Sequence, residues 1–108
     1  MGRNVSSKID REEERRGFED LLDIMMSIND KDQMRSFIND ILTDREVSDV
    51  TQRYLLMDDL SKGISQREIA TKRSMSLCKI TRGSKILKKK DGFMKKYFTE
   101  KYDDFTHI

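Results

Sequence analysis

The chain has 108 residues, of which 35% are hydrophobic, 39% are charged and none is proline, a composition that favours one small domain of capped helices over a β fold. Its single cysteine excludes an intrachain disulfide, and neither a membrane span nor a secretory leader is visible, so a cytoplasmic protein is expected. The net charge is only +2, but residues 1–60 carry −6 and residues 61–108 carry +8, the asymmetry expected when one half of a chain meets a polyanion.

The first part of the chain predicts a polar, flexible arm over 1–9, followed by a helical domain over 10–108. Apolar residues at helical spacing predict helices over about 11–28, 31–41 and 44–61. A capping box, in which Ser, Thr or Asp precedes Glu or Gln by three residues, marks helix starts at Asp10, Asp30, Thr43 and Ser65. The low apolar content of the whole chain favours an oligomer, because a second copy would bury more surface.

The stretch "SQREIATKRSMSLCKITRGS" predicts a helix-turn-helix, with helices over about 66–73 and 77–89. Ala70 is the small residue that lets the two helices cross, and Ser76 is placed to cap the second helix. The turn has Ser74 where such motifs often have Gly, and Arg73 stands where an apolar residue often closes the first helix. A generic helical hairpin is therefore the alternative. A last helix is predicted from about residue 93.

Charge on the second helix of this motif favours DNA as its partner, because the residues that would enter a major groove or flank it are basic. Gln66 and Arg67 would meet the backbone or base edges from the start of the first helix, while Thr81 and Ser84 suit phosphate. The predicted DNA-binding residues are Gln66, Arg67, Ala70, Leu77, Cys78, Lys79, Thr81, Arg82, Ser84, Lys85 and Lys88. Cys78 is expected to be half-buried.

Four segments between Leu42 and Lys88, "LT", "QRY", "ISQREI" and "KITRGSKILK", resemble the tryptophan operon repressor family, with a single deletion just after Gly63. The resemblance implies an all-α, six-helix fold that forms an intertwined homodimer. It also implies that L-tryptophan acts as a corepressor, binding between the body and the DNA-reading unit. The liganded dimer would then block transcription from a palindromic operator of tryptophan metabolism genes.

The resemblance also implies the ligand-binding residues. Arg82 would stack on one face of the indole and Arg53 on the other, and Gly83 would lie against the ligand. Thr43 of the partner subunit would hold the carboxylate and amino end, with the backbone carbonyls of Asp40 and Leu42 nearby.

The chain departs from the family's usual "TRGSNSLK" run. Ile86 replaces a Ser that helps hold the ligand's amino group, a loss of one hydrogen bond worth roughly 0.5–1.5 kcal/mol. Lys85 replaces an Asn at the DNA face, and Cys78 and Lys79 stand where Ala and Thr are common. The ligand preference and the operator sequence could therefore differ from the family's.

No catalytic residues, metal site or bound cofactor are predicted, because the sequence contains no nucleophile beside a base, no metal-ligand cluster and no phosphate-binding Gly loop. Two alternatives stay open. One is a DNA-binding regulator of the same fold that tryptophan does not gate, and the other is a helical protein-interaction module whose basic face docks an acidic protein.

Overall fold

The computed structural model describes the backbone of residues 10–106 and the side chains of residues 10–102. In that range it contains six α-helices and no β-strand, which confirms the predicted all-α fold. The helices are α1 (Arg11–Ser27), α2 (Lys31–Ile41), α3 (Asp44–Ser61), α4 (Gln66–Arg73), α5 (Leu77–Leu87) and α6 (Phe93–Thr106). The predicted flexible arm lies outside the described residues. The chain divides into two compact units, 1–43 and 44–108.

Side chains cap four of the helices where the sequence predicts their starts. Ser65 Oγ accepts from the backbone N–H of the third helical residue of α4, and Ser76 Oγ does the same in α5. The carboxylates of Asp10 and Asp30 accept instead from the backbone N–H of the second helical residue, in α1 and α2 respectively. Each cap satisfies a backbone donor that the first helical turn leaves without a partner.

Helices α3 and α4 both end in a Schellman motif, which reverses the chain within a few residues. After α3, Gly63 has a φ of 92°, and Ile64 N–H donates to the carbonyl of Asp59. After α4, Ser74 takes the left-handed conformation with a φ of 51°, and the next N–H donates to the carbonyl of Ala70. The predicted turn therefore forms with Ser in a position that favours Gly.

Helix α5 ends at Leu87, two residues before the predicted end. Its last turn tightens, because Lys88 N–H donates to the carbonyls of both Ser84 and Lys85. Such three-residue hydrogen bonds are common where a helix ends.

The unit 44–108 has a small apolar core. Leu56 of α3, Ile69 of α4, Ile80 of α5 and Met75 of the turn between α4 and α5 are buried together. Leu60, Ile64 and Ala70 pack against them. This core fixes the α4–α5 pair against α3.

Two adjacent carboxylates of α3 hold the neighbouring helices through ion pairs. Asp59, 1% exposed, accepts from Arg73 Nε at 2.6 Å and from its Nη2 at 3.3 Å, which ties α3 to the end of α4. Asp58 accepts from Tyr102 Oη and, at 3.3 Å, from Lys101 Nζ, which ties α3 to α6.

The unit 1–43 contributes α1 and α2, and neither helix contains a buried residue. Large apolar side chains on both helices are exposed, namely Phe18, Leu22, Ile24, Met26 and Ile41. Helices of this kind normally bury their apolar stripe against another surface.

Candidate functional site

A cleft of about 180 Å³ opens between α3 and α5. Four of its lining residues lie on one face of α3, at spacings of three, one and three positions along the chain. Two more lie three positions apart on α5, and therefore also share a face. Its lining residues are Asp49, Gln52, Arg53, Leu56, Met75, Lys79 and Arg82. An engineered cavity of about 150 Å³ holds a benzene ring, so the cleft has room for an aromatic side chain.

The floor of the cleft is apolar and its walls are charged. Leu56 and Met75 are buried, whereas the cations of Arg53, Lys79 and Arg82 are exposed. Asp49 is half-buried and supplies the one carboxylate among the lining residues. Its Oδ1 lies 3.9 Å from Nε of the exposed Arg45, too far for a strong ion pair. The cleft is therefore suited to a ligand with an apolar body and charged groups.

Gly83 brings α5 close to the floor of the cleft. It is buried, and a Cβ atom placed on it would lie 2.5 Å from Cδ1 and 3.1 Å from Cγ of Leu56. Any side chain at this position would push Leu56 or separate the two helices. Gly83 therefore determines how closely α5 packs on α3.

The outer side of α5 presents a second surface, which we call the reading face. It contains a shallow depression of about 440 Å³ lined by Leu77, Cys78, Thr81, Arg82 and Lys85. All five residues are exposed. Arg82 is shared, since it lines both the cleft and the reading face. A ligand in the cleft would thus contact a residue of the reading face directly.

Comparison with known proteins shows which family the chain is similar to. The family model described as Trp repressor protein matches residues 16–101. The chain belongs to this family. A Trp operon repressor homolog of Xylella fastidiosa (strain M23) is 37% identical over 68 residues, which are 62% of this chain and 74% of that protein. A Trp operon repressor homolog of Chlamydia caviae is 32% identical over 88 residues, which are 81% of this chain and 87% of that protein. No solved structure matches the chain.

The Trp repressor family is one of regulators rather than enzymes. Within residues 10–106 no helix is long and apolar enough to cross a membrane.

The predicted ligand-binding residues fall in different places. Arg53 and Arg82 line the same cleft from α3 and α5. Gly83 is not among the residues that line the cleft but packs against Leu56 of its floor, and Ile86 is half-buried further along α5.

Three further residues of the predicted ligand set lie in the unit 1–43, where Asp40 is in the last turn of α2 and Leu42 follows its end. Thr43 precedes α3. The roles given to them in the partner subunit stay predictions.

The predicted DNA-binding residues are also divided by the structure. The reading face brings together five of them, and Gln66 and Arg67 are exposed at the start of α4. Lys85 lies on this face, whereas Lys79 lines the cleft. Lys88, just past the end of α5, is exposed, whereas Ser84 is half-buried and Ala70 packs against the core. The expectation that Cys78 is half-buried is wrong, because it is exposed on the reading face, where the helix turns it away from the core.

The residues of the cleft that sequence reasoning missed are Asp49, Gln52, Leu56 and Met75. A signal for three of them was present, because they share the helical face of Arg53 on α3. Met75 lies in the turn between α4 and α5, and the Schellman geometry at Ser74 brings it inward.

Proposed function

We propose that the protein is a DNA-binding transcriptional repressor that L-tryptophan activates, acting as a homodimer on palindromic operators of tryptophan metabolism genes. The observation that carries the proposal is the position of Arg82, which lines both the cleft and the reading face. Occupation of the cleft would fix this side chain and α5, and so change how the reading face meets DNA. Membership of the Trp repressor family and the names of the relatives support the same role.

The charges of the cleft support an amino acid as the ligand. Arg53, Lys79 and Arg82 could neutralise a carboxylate, while Asp49 could accept from an ammonium group. Leu56 and Met75 offer apolar contact to an indole ring, and the exposed guanidinium groups could stack on its faces. A zwitterion with an aromatic side chain would satisfy all three features.

DNA as the partner is supported by the uneven charge and by the exposed cations around the reading face. Between residues 77 and 96 the chain has eight Lys or Arg and a single carboxylate. The short turn between α4 and α5 and the exposure of α5 are what a helix-turn-helix needs to insert a helix into the major groove.

The experiment that tests the proposal is selection of binding sites from a random duplex library in the presence of saturating L-tryptophan. We expect a palindromic sequence to be enriched, and gel shifts on that sequence to weaken strongly when tryptophan is withdrawn. Binding that is unchanged by tryptophan would contradict the gating. Absence of binding to any duplex at low salt would favour the protein-interaction module instead.

The cleft itself is tested by Asp49→Asn. If its carboxylate meets the ligand's ammonium group, the loss of a charged hydrogen bond should weaken L-tryptophan binding about tenfold or more. Indole-3-propionate, which lacks the ammonium group, should bind the variant and the parent equally well. Calorimetry measures both, and an equal loss for the two ligands would contradict this role of Asp49.

A second candidate is a regulator of the same fold with no amino-acid gate. The observation that favours it is Ile86, which stands where a hydroxyl group is usual in the family. Calorimetry with L-tryptophan distinguishes the two, because the ungated regulator would give neither heat nor a thermal shift and would still bind DNA.

A further inference from the structure

The region just beyond α5 contains a second group of basic residues. Residues 88–96, "KKKDGFMKK", include five lysines and one aspartate. All five lysines are exposed, and none forms an ion pair within the part of the chain whose side chains are described. Other lysines of the same unit do have structural partners, since Lys62 and Lys101 pair with Asp58 and Lys72 pairs with Asp59. The lysines of 88–96 therefore have no visible role in holding the fold.

Three of these lysines converge on one groove at the start of α6. Lys90, Lys95 and Lys96 line it together with the hydroxyl-bearing Thr99, and its volume is about 350 Å³. The carboxylates of Asp91 and Glu100 also line the groove, but neither is ion-paired with the lysines. With three cations against two carboxylates, the groove keeps a net positive charge. We call this surface the lysine groove.

We propose that the lysine groove binds the phosphodiester backbone of DNA next to the segment that the reading face contacts. This inference rests on the proposed function and extends it to a surface outside the helix-turn-helix. The chain leads directly from one surface to the other, since Lys85 lies on the reading face and Lys88 and Lys89 connect it to the groove. A duplex held at the reading face would present further phosphates along the same continuous backbone.

The chemistry of the groove favours phosphate over an acidic protein. Lysine is depleted at protein–protein interfaces, whereas Lys and Thr side chains are common donors to DNA phosphates. Lysines are also compact point charges that bind phosphate without fixed geometry. Such contacts position a protein on the duplex and add affinity without reading the sequence.

The test is the salt dependence of binding to a labelled random-sequence duplex that spans several helical turns, measured by fluorescence anisotropy with saturating L-tryptophan. The test protein carries Lys90→Gln, Lys95→Gln and Lys96→Gln. Each phosphate contact contributes about 0.9 to the slope of log affinity against log salt. Loss of three contacts should therefore make the slope, measured between about 50 and 200 mM KCl, shallower by roughly 2.7 for each bound subunit.

The control protein carries Arg11→Gln, Arg16→Gln and Lys31→Gln, which remove the same charge from exposed, unpaired positions on α1 and α2. Its slope should match that of the parent. Thermal melting checks that both proteins are folded. If the triple variant is not, Lys90→Gln and Lys96→Gln are measured singly, each with an expected change of about 0.9.

The outcomes separate this inference from the proposed function. If the parent binds DNA and the lysine variant keeps its slope and affinity, the groove proposal is wrong and the proposed function stands. An equal change in the control would also overturn the groove proposal, because the effect would then be one of net charge alone. If the parent binds no duplex at low salt, both proposals fail.

Discussion

Gly83 is the residue on which the packing of α5 depends most closely. Since a Cβ atom here would lie 2.5 Å from Leu56 Cδ1, Gly83→Ala should force the side chain or the helix to move. Overpacking of this kind costs about 1–3 kcal/mol, while replacing Gly by Ala inside a helix gains up to about 1 kcal/mol, so we expect a net loss of up to about 2 kcal/mol in the free energy of unfolding, measured by urea denaturation.

Gly17 of α1 provides the matched control for this prediction. Nothing lies within 4 Å of a Cβ atom placed on it, so Gly17→Ala should gain up to about 1 kcal/mol from helix propensity alone. Similar effects of the two substitutions would contradict the role given to Gly83. From the sequence, Gly83 was predicted to leave room for a ligand, and the structure adds that it leaves room for Leu56.

At the scale of the elements, the pairing of Asp59 with Arg73 holds α4 on α3. Arg73→Ala would leave a carboxylate that is 1% exposed with only Lys72, 3.7 Å away, as a partner. Removal of one member of a buried ion pair costs about 3 kcal/mol or more, and urea denaturation should show a loss of that size.

Three further variants show whether the pair itself is responsible. Lys72→Ala should cost less than about 1 kcal/mol, because Lys72 is half-exposed and more distant. If Asp59→Asn and Arg73→Ala acted additively in the double variant, the two residues would not be coupled and the anchoring role would be refuted.

The same carboxylates give the fold a dependence on pH. Hydrogen bonding to Arg73 lowers the pKa of Asp59. Burial raises the pKa of Asp58, but hydrogen bonds from Tyr102, Lys62 and Lys101 outweigh it and lower that pKa as well. A carboxyl group whose pKa is lowered in the folded state stabilises the fold at pH values above its pKa in the unfolded chain, which is about 3.9. This stabilisation is lost as the pH falls below that value and through the lower pKa of the folded state.

We therefore expect the thermal midpoint to hold from neutral pH down to about pH 5 and to fall steeply below about pH 4. Asp58→Asn should make the acid decline shallower, while Asp20→Asn, at an exposed position on α1, should leave it unchanged. Circular dichroism melts between these pH values measure both. An identical decline in the parent and in Asp58→Asn would rule out this origin.

Local signals made the helices predictable, and long-range contacts were the part that sequence reasoning missed. Caps at Ser65 and Ser76 and the left-handed residue at Gly63 depend on neighbours in the chain, so the bounds of α4 and the start of α5 were confirmed. The Asp59–Arg73 pair spans 14 positions, and no residue near Arg73 in the sequence indicates it. One signal was available, since the run "LLMDDL" places two aspartates within the apolar part of α3.

The residues of the cleft were also predictable only in part. Arg53 and Arg82 were brought together by resemblance to the family, and the structure places both on one cleft. Lys79 was assigned to DNA from its charge and its place on the second helix of the motif, and the structure adds that it lines the cleft beside Arg82. Which residues of α5 face the cleft and which face outward depends on the rotation of α5 against α3. Gly83 and Ile80 fix this rotation through their packing, which the sequence alone does not show.

At the scale of the whole molecule, α1 and α2 expose large apolar side chains. Phe18 is 58% exposed and Met26 is 85% exposed, and no residue of either helix is buried. Large exposed apolar surfaces of this kind mark protein–protein contacts. A second copy of the chain is the partner expected from the family resemblance, so these helices should be buried in the proposed homodimer.

If the proposed homodimer forms, sedimentation equilibrium should give about twice the chain mass of 12.8 kDa. The thermal midpoint should then rise with protein concentration, because such a dimer would bind the folded chain and not the unfolded one. Phe18→Glu with Leu22→Glu, two positions one helical turn apart on α1, should shift the mass towards the monomer and lower the midpoint. Leu77→Glu, at an equally exposed position on the reading face, should leave the mass unchanged and weaken only DNA binding. A monomeric mass at every concentration, with a midpoint that does not vary, would leave the apolar faces of α1 and α2 unexplained by a homodimer.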